Sequence, residues 1–378
     1  MNISLYIHIP FCNSKCPYCD FYSIVPDDEA LKENYLDALK REIIIYSQKY
    51  PQINIQSIYI GGGTPTVLKG QQIFEIIQTC FDKFNVNKEI EVTIESNPES
   101  FNYDKAQNIF ESGINRISIG AQSFNNKLLE SIGRIHDKHA IIKSYQIARD
   151  IGFNNINIDL MFGLPGQSVI QFMKTLEKAI LLHPEHISIY SLSVEPKTIF
   201  SKLFKKGTLN IPSDDIVYEM YKNAITILQD NEYEQYEISN FSIQKKECFH
   251  NIRYWKNCPY LGVGASAVSY IEKNRYKNIS DVNKYTYFLK HNILPVETKE
   301  VLPLKEEMSE TVILNLRMME GIAKQDFINR FNVPIESIFG KQLSYLKENK
   351  LIESNDSHYF LTERGIFISN TVFVEFLN

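Results

Sequence analysis

Six repeats of one pattern, a short apolar segment followed by a longer amphipathic one, limit the fold of this 378-residue chain more than any other feature. The apolar segments are rich in β-branched residues and predict strands, whereas the amphipathic segments carry apolar residues at helical spacing. Short apolar strands that alternate with helices are typical of a parallel sheet covered by helices. The predicted strands are Leu5–Ile9, Ile55–Ile60, Glu91–Glu95, Arg116–Gly120, Asn155–Leu160 and His186–Ser191.

Polar or glycine-rich residues mark the carboxyl end of each predicted strand. In a barrel all of these ends lie on one rim, where barrel enzymes place their chemistry. In an open doubly wound sheet, only the strands near the switch point would bring such residues together. The sequence therefore predicts an α/β fold with a partial, TIM-like barrel of six β/α units. The marking residues are, in strand order, the cysteines from Cys12 onward, Gly61–Thr66, Glu95, Gln122, Asp159 and Ser193.

The last part of the chain, from residue 303, has a different pattern. Three amphipathic segments, Glu306–Leu316, Lys324–Phe331 and Phe339–Asn349, predict helices, and two short apolar segments after them predict a hairpin. We interpret this part as a mostly helical, winged-helix-like domain. The predicted division is residues 1–240 for the barrel, 241–302 for a connecting segment and 303–378 for the C-terminal domain.

Three cysteines lie within eight residues, directly after the first predicted strand, at Cys12, Cys16 and Cys19. Iron–sulfur clusters are usually held by four thiolates, so three suggest a four-iron cluster with one iron open to an outside ligand. A zinc site would need a fourth cysteine or histidine, and His8 lies nearby on the strand. Incidental thiols are the third reading. With six cysteines in the whole chain, a disulfide framework is not expected.

Four further features near the strand ends have both a structural and a functional interpretation. Gly61–Gly63 let a backbone approach a ligand closely, or they form a simple strand-to-helix turn. Glu95 is a site acid or a solvated surface residue. Arg134 suits the bidentate binding of a carboxylate, or it forms a surface salt bridge. Asp159 lies in an otherwise apolar strand, where an unpaired carboxylate is costly, so a hydroxyl or basic partner is expected.

His250 is followed by Tyr254 and by the only tryptophan of the chain, Trp255. If this segment is helical, His250 and Tyr254 share a face. Imidazole is a common axial heme ligand, and aromatic side chains suit a flat macrocycle. A buried histidine that serves packing alone is the other reading.

Charge and hydropathy limit the partners and the compartment. The formal net charge of −5 provides no basic surface for phosphates, so nucleic acid is not an expected partner. No apolar run approaches the length of a membrane span, and the first strand begins too early for a targeting segment. The expected compartment is the reducing cytoplasm.

These motifs together resemble those of radical S-adenosylmethionine (SAM) enzymes, and within them the coproporphyrinogen dehydrogenase-like group. The three cysteines with Tyr18 before the last one are similar to the cluster signature, and Gly61–Thr66 is similar to the loop for the SAM amino group. The resemblance extends over nearly the whole chain through Gln122, Arg134, the segment Asp159–Gly166 and His250–Trp255.

The resemblance implies a [4Fe-4S] cluster on the three cysteines, and SAM as ligand of the open iron. It implies contacts to SAM from Tyr6, Tyr18, Gly62, Gly63, Thr64, Glu95, Gln122, Arg134 and Asp159, and a heme contact from His250. The two branches of the group differ in function: one oxidatively decarboxylates coproporphyrinogen III, and the other is a heme chaperone. The oxidase branch carries a further cysteine two positions after the third, where this chain has Phe21, and also an N-terminal extension.

Both differences favour the heme-chaperone branch. The partners that this branch implies are heme, a respiratory enzyme as heme acceptor, and an electron donor for the cluster. A respiratory acceptor further implies peripheral contact with the membrane, and a homodimer is compatible with the family.

Overall fold

The computed structural model describes residues 1–377, and it confirms the α/β class and the partial barrel. Six strands run parallel and neighbour one another in chain order. Helices follow the strands and cover the outer face of their sheet. The strands are β1 (Asn2–Ile9), β2 (Asn54–Gly62), β3 (Asn85–Ser96), β4 (Arg116–Gln122), β5 (Ile156–Phe162) and β6 (His186–Ser191). The helices are α1 (Glu29–Lys49), α2 (Gly70–Lys83), α3 (Tyr103–Glu111), α4 (Asn126–Ser131), α5 (Lys138–Ile151), α6 (Val169–Ile180), α7 (Ile199–Lys205) and α8 (Asp214–Asp230).

The residues at the helix ends form the caps that the sequence predicts. Asp28 caps α1 by accepting a hydrogen bond from the Leu31 amide at 2.8 Å. Ser168 and Gln171 form a capping box at the start of α6. Gly152 ends α5 in a left-handed conformation with a φ of 115°. The caps at Asp28 and Ser168 fix where a helix begins, and therefore where the loop after the preceding strand ends. The cap at Gly152 fixes where α5 ends.

The two faces of the strands differ sharply in polarity. In β1 the residues Ile3, Leu5 and Ile7 are buried in the main apolar core, which also contains the inner faces of the covering helices. The alternate residues of the same strand, Ser4 and Tyr6 among them, make polar contacts on the opposite, concave face. Because successive side chains of a strand point to opposite faces, a mixed strand can serve both surroundings. The barrel interior is therefore polar, whereas the layer between sheet and helices is apolar.

The sheet does not close between β1 and β6. It continues past β6 into two antiparallel strands and past β1 into four more, so that twelve strands form one sheet. The added strands are β7 (Glu234–Glu237), β8 (Asn240–Ser242), β9 (Tyr260–Val263), β10 (Val268–Ile271), β11 (Asn274–Asn278) and β12 (Val296–Val301), with α9 (Phe249–Trp255) and α10 (Val282–Lys290) between them. The predicted connecting segment thus contributes four strands to the barrel's own sheet; the boundaries at residues 240 and 302 stay a prediction.

The C-terminal part has its own apolar cluster, built around Val312, Phe327, Phe339 and Phe376. The three predicted helices and the later hairpin are present, but a third strand between the first two helices joins the hairpin, and two short helices that the sequence analysis did not predict follow it. The elements are α11 (Leu304–Asn315), β13 (Ile322–Ala323), α12 (Lys324–Phe331), α13 (Ile335–Glu348), β14 (Ile352–Ser354), β15 (His358–Leu361), α14 (Glu363–Phe367) and α15 (Ser369–Val374).

Candidate functional site

A pocket of about 440 Å³ opens at the carboxyl ends of the parallel strands. It brings together residues from the carboxyl ends of all six strands or from the loops that follow them, as expected for a shared barrel rim. Of the thirteen residues that the resemblance assigns to the cluster, to SAM or to heme, all but two line this pocket. The lining members of that set are Cys12, Cys16, Tyr18, Cys19, Gly62, Gly63, Thr64, Glu95, Gln122, Arg134 and Asp159; the two outside it are Tyr6 and His250.

The cysteine loop is closed at its base by backbone pairing. The Ile24 amide donates to the Pro10 carbonyl at 2.7 Å, and the Cys12 amide donates to the Ile24 carbonyl at 3.0 Å. All three thiols of the loop are reduced and partly exposed to the pocket. Among residues 1–377, no three His, Cys, Asp or Glu side chains converge on a point where a single metal ion could be held.

The glycine loop packs directly against the cysteine loop. A Cβ added at Gly63 would lie 2.5 Å from the Phe11 carbonyl oxygen, and one added at Gly62, whose φ is +114°, would lie 2.6 Å from the His8 ring. The Thr64 amide donates to the same Phe11 carbonyl at 2.7 Å. Only glycine allows this approach and this backbone conformation. The loop is therefore more than a turn between β2 and the next helix, because it joins two sides of the pocket.

Glu95, at the end of β3, is not a solvated surface residue. Its carboxylate accepts hydrogen bonds from the Tyr59 hydroxyl at 2.9 Å and from the Gly62 amide at 3.2 Å. Burial raises the pKa of the Glu95 carboxyl to about 7, and the two hydrogen bonds only partly oppose that rise. A carboxyl group with such a pKa can accept or release a proton near neutral pH.

Asp159, in β5, has the polar partners that a carboxylate in an apolar strand is expected to need. Its carboxylate accepts hydrogen bonds from the Ser118 hydroxyl at 2.7 Å and from the Asn157 side-chain amide at 2.8 Å. Burial raises the pKa of the Asp159 carboxyl, although these bonds favour the ionised form. Ser118 comes from the concave face of β4, and its role is visible only once the two strands are paired in register.

Arg134 is held in the pocket by a residue that the sequence analysis missed. Its Nη1 donates to Asn97 Oδ1 at 3.0 Å, and Asn97 Nδ2 donates to Thr64 Oγ1 at 2.9 Å. The signal for Asn97 was its position directly after the third strand, on the marked rim. Within the described part of the chain, the Nε of Arg134 is buried and has no hydrogen-bond partner. A guanidinium with donors to spare suits an anionic ligand.

The remaining pocket residues are set by local geometry. Gln122 has a positive φ of 60° at a register shift between β4 and β5. Such backbone strain in a non-glycine residue often marks a functional site. Tyr18 packs on Phe200 of α7 with ring centroids 6.2 Å apart, which ties the cysteine loop to the far side of the rim.

Tyr6 lies deeper in the barrel than the pocket. Its hydroxyl is 3.1 Å from Nδ1 of His8, and its ring stacks on that of Tyr59 with centroids 6.3 Å apart. Tyr59 in turn reaches Glu95, so Tyr6 is one residue removed from the pocket wall.

His250 lies at the opposite end of the barrel, among the amino-terminal halves of the strands. It belongs to α9, and, as the spacing predicts, it shares a face with Tyr254, at a centroid distance of 4.8 Å. Its side chain is buried, with Nδ1 2.9 Å from Ser57 Oγ. Nε2 has no hydrogen-bond partner among residues 1–377. Burial lowers the pKa of His250 to about 3, so the imidazole is neutral and keeps a lone pair for a ligand.

Glu91 holds α9 in this position, and sequence analysis did not select it. Its two carboxylate oxygens accept hydrogen bonds from the amides of Phe249 and His250, each at 2.9 Å. A carboxylate is favourable at a helix N-terminus because the first amides there have no partner within the helix. Glu91 and Glu95 are four residues apart on one strand, so they share a face; one caps a helix and the other lines the pocket.

Comparisons with known proteins agree with this geometry. Residues 6–179 match the radical SAM superfamily, and residues 302–368 match the HemN C-terminal domain. The chain is 37% identical to the heme chaperone HemW of Bacillus subtilis over 99% of both chains. It is 30% identical to that of Escherichia coli over 99% of this chain and 98% of the relative. The solved structure of coproporphyrinogen III oxidase (HemN) from Escherichia coli superposes with a TM-score of 0.87 at 25% identity, covering 99% of this chain and 89% of that one.

The chain belongs to the HemW group of the radical SAM superfamily. This superfamily implies a [4Fe-4S] cluster and SAM as cofactors. The pocket fits both groups, because it offers three reduced thiols on one loop and a buried guanidinium with an unpartnered Nε. When bound, the two groups supply one-electron chemistry, which belongs to the cofactors rather than to the protein. None of the described helices is long and apolar enough to cross a bilayer.

Proposed function

We propose that the chain is a heme chaperone, which binds a [4Fe-4S] cluster, SAM and heme and passes the heme to an acceptor protein. The observation that carries this proposal is Phe21, which lines the pocket and is 66% exposed. The family resemblance places a further cysteine at this position in the oxidase branch. A full-length similarity to relatives named heme chaperones supports the same choice.

In this proposal Cys12, Cys16 and Cys19 hold three of the four irons, and the amino and carboxylate groups of SAM bind the fourth. The remaining pocket residues position SAM and exclude water. Arg134 suits the SAM carboxylate, and Asp159 suits a ribose hydroxyl, because its carboxylate lies in the pocket wall. Glu95 supports the glycine loop through the Gly62 amide.

His250 is the proposed axial ligand of heme, since its Nε2 is unpartnered among the described residues. The proposed partners are an electron donor for the cluster and a respiratory enzyme as heme acceptor. A respiratory acceptor would bring the protein from the cytoplasm to the membrane face, and a homodimer is part of the proposal.

The test is heme transfer by the reconstituted full-length protein to an apo-acceptor, with and without SAM. We expect transfer, and no formation of protoporphyrinogen when coproporphyrinogen III, SAM and a reductant are supplied instead. Protoporphyrinogen in the second assay would replace the chaperone by the oxidase, whose solved relative has the same fold.

The His250→Ala variant tests the assignment of His250 as the heme ligand. We expect weaker heme binding with an unchanged cluster spectrum, because His250 lies outside the pocket of the three cysteines. Unchanged heme affinity in this variant would remove the ligand assignment and leave the chaperone function standing.

A further inference from the structure

The position of His250 conflicts with direct access by a porphyrin. The side chain is 1% exposed and lies under α9, against Ser57 and the ring of Tyr59 at a centroid distance of 5.0 Å. A flat macrocycle cannot reach Nε2 while α9 stays in this place. If His250 binds heme, as the proposed function has it, α9 must move, so the contacts that hold α9 decide when heme can bind.

The barrel holds α9 at its amino end and along one side. Glu91 accepts from the amides of Phe249 and His250, as described above. Nε of Arg253 donates to Ser4 Oγ at 2.8 Å, and Nη2 donates to the Asn2 carbonyl at 3.0 Å. These contacts lie at the amino end of the helix and, through Arg253 in its last turn, along the side that faces β1, so they can act as a hinge when the carboxyl end is released.

The C-terminal domain holds the carboxyl end of α9. The guanidinium of Arg317 lies 4.5 Å from the centroid of the Trp255 ring. Just beyond the helix, the side chain of Asn257 donates to Thr311 Oγ1 at 3.0 Å, and its carbonyl accepts from Arg330 Nη1 at 2.8 Å. Arg317 comes directly after α11, so its contact links the C-terminal domain to the helix that carries His250.

Arg317 is suited to a contact that can be broken. Its Nε is buried and has no hydrogen-bond partner in the described part of the chain, and no such partner is available for Nε1 of Trp255 either. The stack is therefore a main interaction of the Trp255 indole. The guanidinium also lies 6.0 Å from the centroid of the Phe373 ring, and its charge opposes the rise that burial causes in the pKa of Glu237. A cation–π contact changes a two-state equilibrium by roughly two-fold when it is exposed to solvent and by about thirty-fold when it is desolvated. That is enough to control a minor open state, and too little to lock the helix permanently.

We propose that Arg317 is a positioning residue for His250: its stack on Trp255 keeps α9 seated in the barrel with His250 covered, and release of the stack opens His250 to heme. The C-terminal domain thereby controls heme uptake. When the binding-competent state is a small fraction of the molecules, the apparent affinity falls by that fraction. Weakening the stack must then strengthen heme binding, which a purely structural contact would not do.

Arg317→Met in the full-length chain tests this, with Arg317→Lys as the conservative variant. The matched control is Lys324→Met, which removes a cation 4.9 Å from the ring of Tyr359 in the same domain, away from α9. Trp255 is the only tryptophan, so intrinsic fluorescence reports on the stack without labelling. In the heme-free protein we expect greater accessibility of Trp255 to acrylamide in Arg317→Met, little change in Arg317→Lys, and none in Lys324→Met.

Hemin titration, followed by quenching of Trp255 and by the heme absorption band, gives the second readout. We expect Arg317→Met to bind hemin roughly two- to thirty-fold more tightly than the wild type, and Lys324→Met to match the wild type. Equal or weaker binding by a folded Arg317→Met protein would overturn the proposal and leave the chaperone function intact. No hemin binding by the wild type would overturn both.

Hydrogen exchange on the wild type keeps the proposal testable if Arg317→Met does not fold. The amides of α9 should be protected without hemin and should exchange at least several-fold faster once hemin is bound. Protection that is unchanged by bound hemin would show that α9 does not move, and would overturn the role of Arg317.

Discussion

The two ends of the barrel are built from the same strands and have opposite properties. At the carboxyl ends, the strands surround an open pocket that is lined by Glu95, Arg134 and Asp159. At the amino ends, α9 fills the interior, and Glu91 is satisfied by the helix. Glu91 and Glu95, on the same strand, show this difference: Glu91 is covered by α9, whereas Glu95 lines the pocket. The same polar interior face therefore forms an open pocket at one end, and at the other end it is covered by the helix that carries the proposed heme ligand, His250.

The largest expected effect is the loss of the iron–sulfur cluster when a cysteine of the pocket is replaced. Cys16→Ala should reduce the iron and sulfide content of the reconstituted protein to near zero, because two thiolates do not replace three on a cluster that already lacks a fourth. Iron and sulfide analysis with visible absorption measures this. Cys258→Ala is the control, since its partly exposed thiol lies outside the pocket, and it should keep the full iron content. Similar iron loss in both variants would contradict the assignment.

The two glutamates of β3 should differ in stability. Glu91→Gln removes the charge that caps α9. The same charge stabilises the guanidinium of the buried Arg116, so we expect a loss of about 1–3 kcal/mol in the free energy of unfolding. At about pH 5, where burial keeps the Glu95 carboxyl neutral in the folded state, Glu95→Gln should change that free energy by less than about 1 kcal/mol. Denaturant unfolding of the cofactor-free variants measures both. Equal losses in the free energy of unfolding would mean that Glu95 contributes as much to stability at the pocket as Glu91 does at the amino end.

The pH dependence of stability should have opposite signs at the two ends. Burial raises the pKa of Glu95 from 4.5 to about 7, so between these values the folded state binds more protons than the unfolded state, and stability falls as the pH rises. Burial lowers the pKa of His250 from 6.5 to about 3, so between those values the unfolded state binds more protons, and stability falls as the pH falls.

Each group should contribute on the order of 3–5 kcal/mol over its window, because one pKa unit corresponds to about 1.4 kcal/mol. Glu95→Gln should therefore flatten the profile between pH 4.5 and 7, and His250→Gln should flatten it between pH 3 and 6.5, relative to the wild type. Urea unfolding across pH gives the profiles. A variant whose profile keeps the wild-type slope in its own window would refute the corresponding pKa shift.

The smallest effect is expected for two exposed phenylalanines, one at each end. Phe21→Ala at the pocket and Phe249→Ala on α9 should each change the free energy of unfolding by no more than about 0.5 kcal/mol, since both residues are exposed, by 66% and 43% respectively. Thermal or denaturant unfolding checks this. A much larger loss for Phe249 would show that the packing of α9 extends to its outer face.

The sequence was sufficient for the features that depend on local pattern. Strand and helix positions follow from periodicity, helix ends follow from residues such as Ser168 and Gly152, and the rim follows from polar residues placed after strands. The spacing of His250 and Tyr254 likewise predicted one helical face.

What depends on register between distant segments was beyond the sequence. Asn97 joins Arg134 to Thr64 only because three loops meet at the rim. The burial of His250 is a property of the strands that surround it, and nothing in its own helix indicates which face they cover. Strands β9 to β12 are short and mixed in polarity, so no period distinguishes them from loops.

The pairing of β1 has a consequence for synthesis of the chain. The strand that leads into the cysteine loop is central in the sheet: it pairs with β2 on one side and with β9 on the other, where Ser4 lies opposite Tyr260. Roughly 200 residues separate the end of β2 from that of β9. At about 5–20 residues per second, β1 has one unpaired edge for roughly 10–40 s on the ribosome. An unpaired edge is a template for wrong pairing. The nascent barrel therefore has an aggregation-prone interval during its own translation, which ends only when β9 arrives.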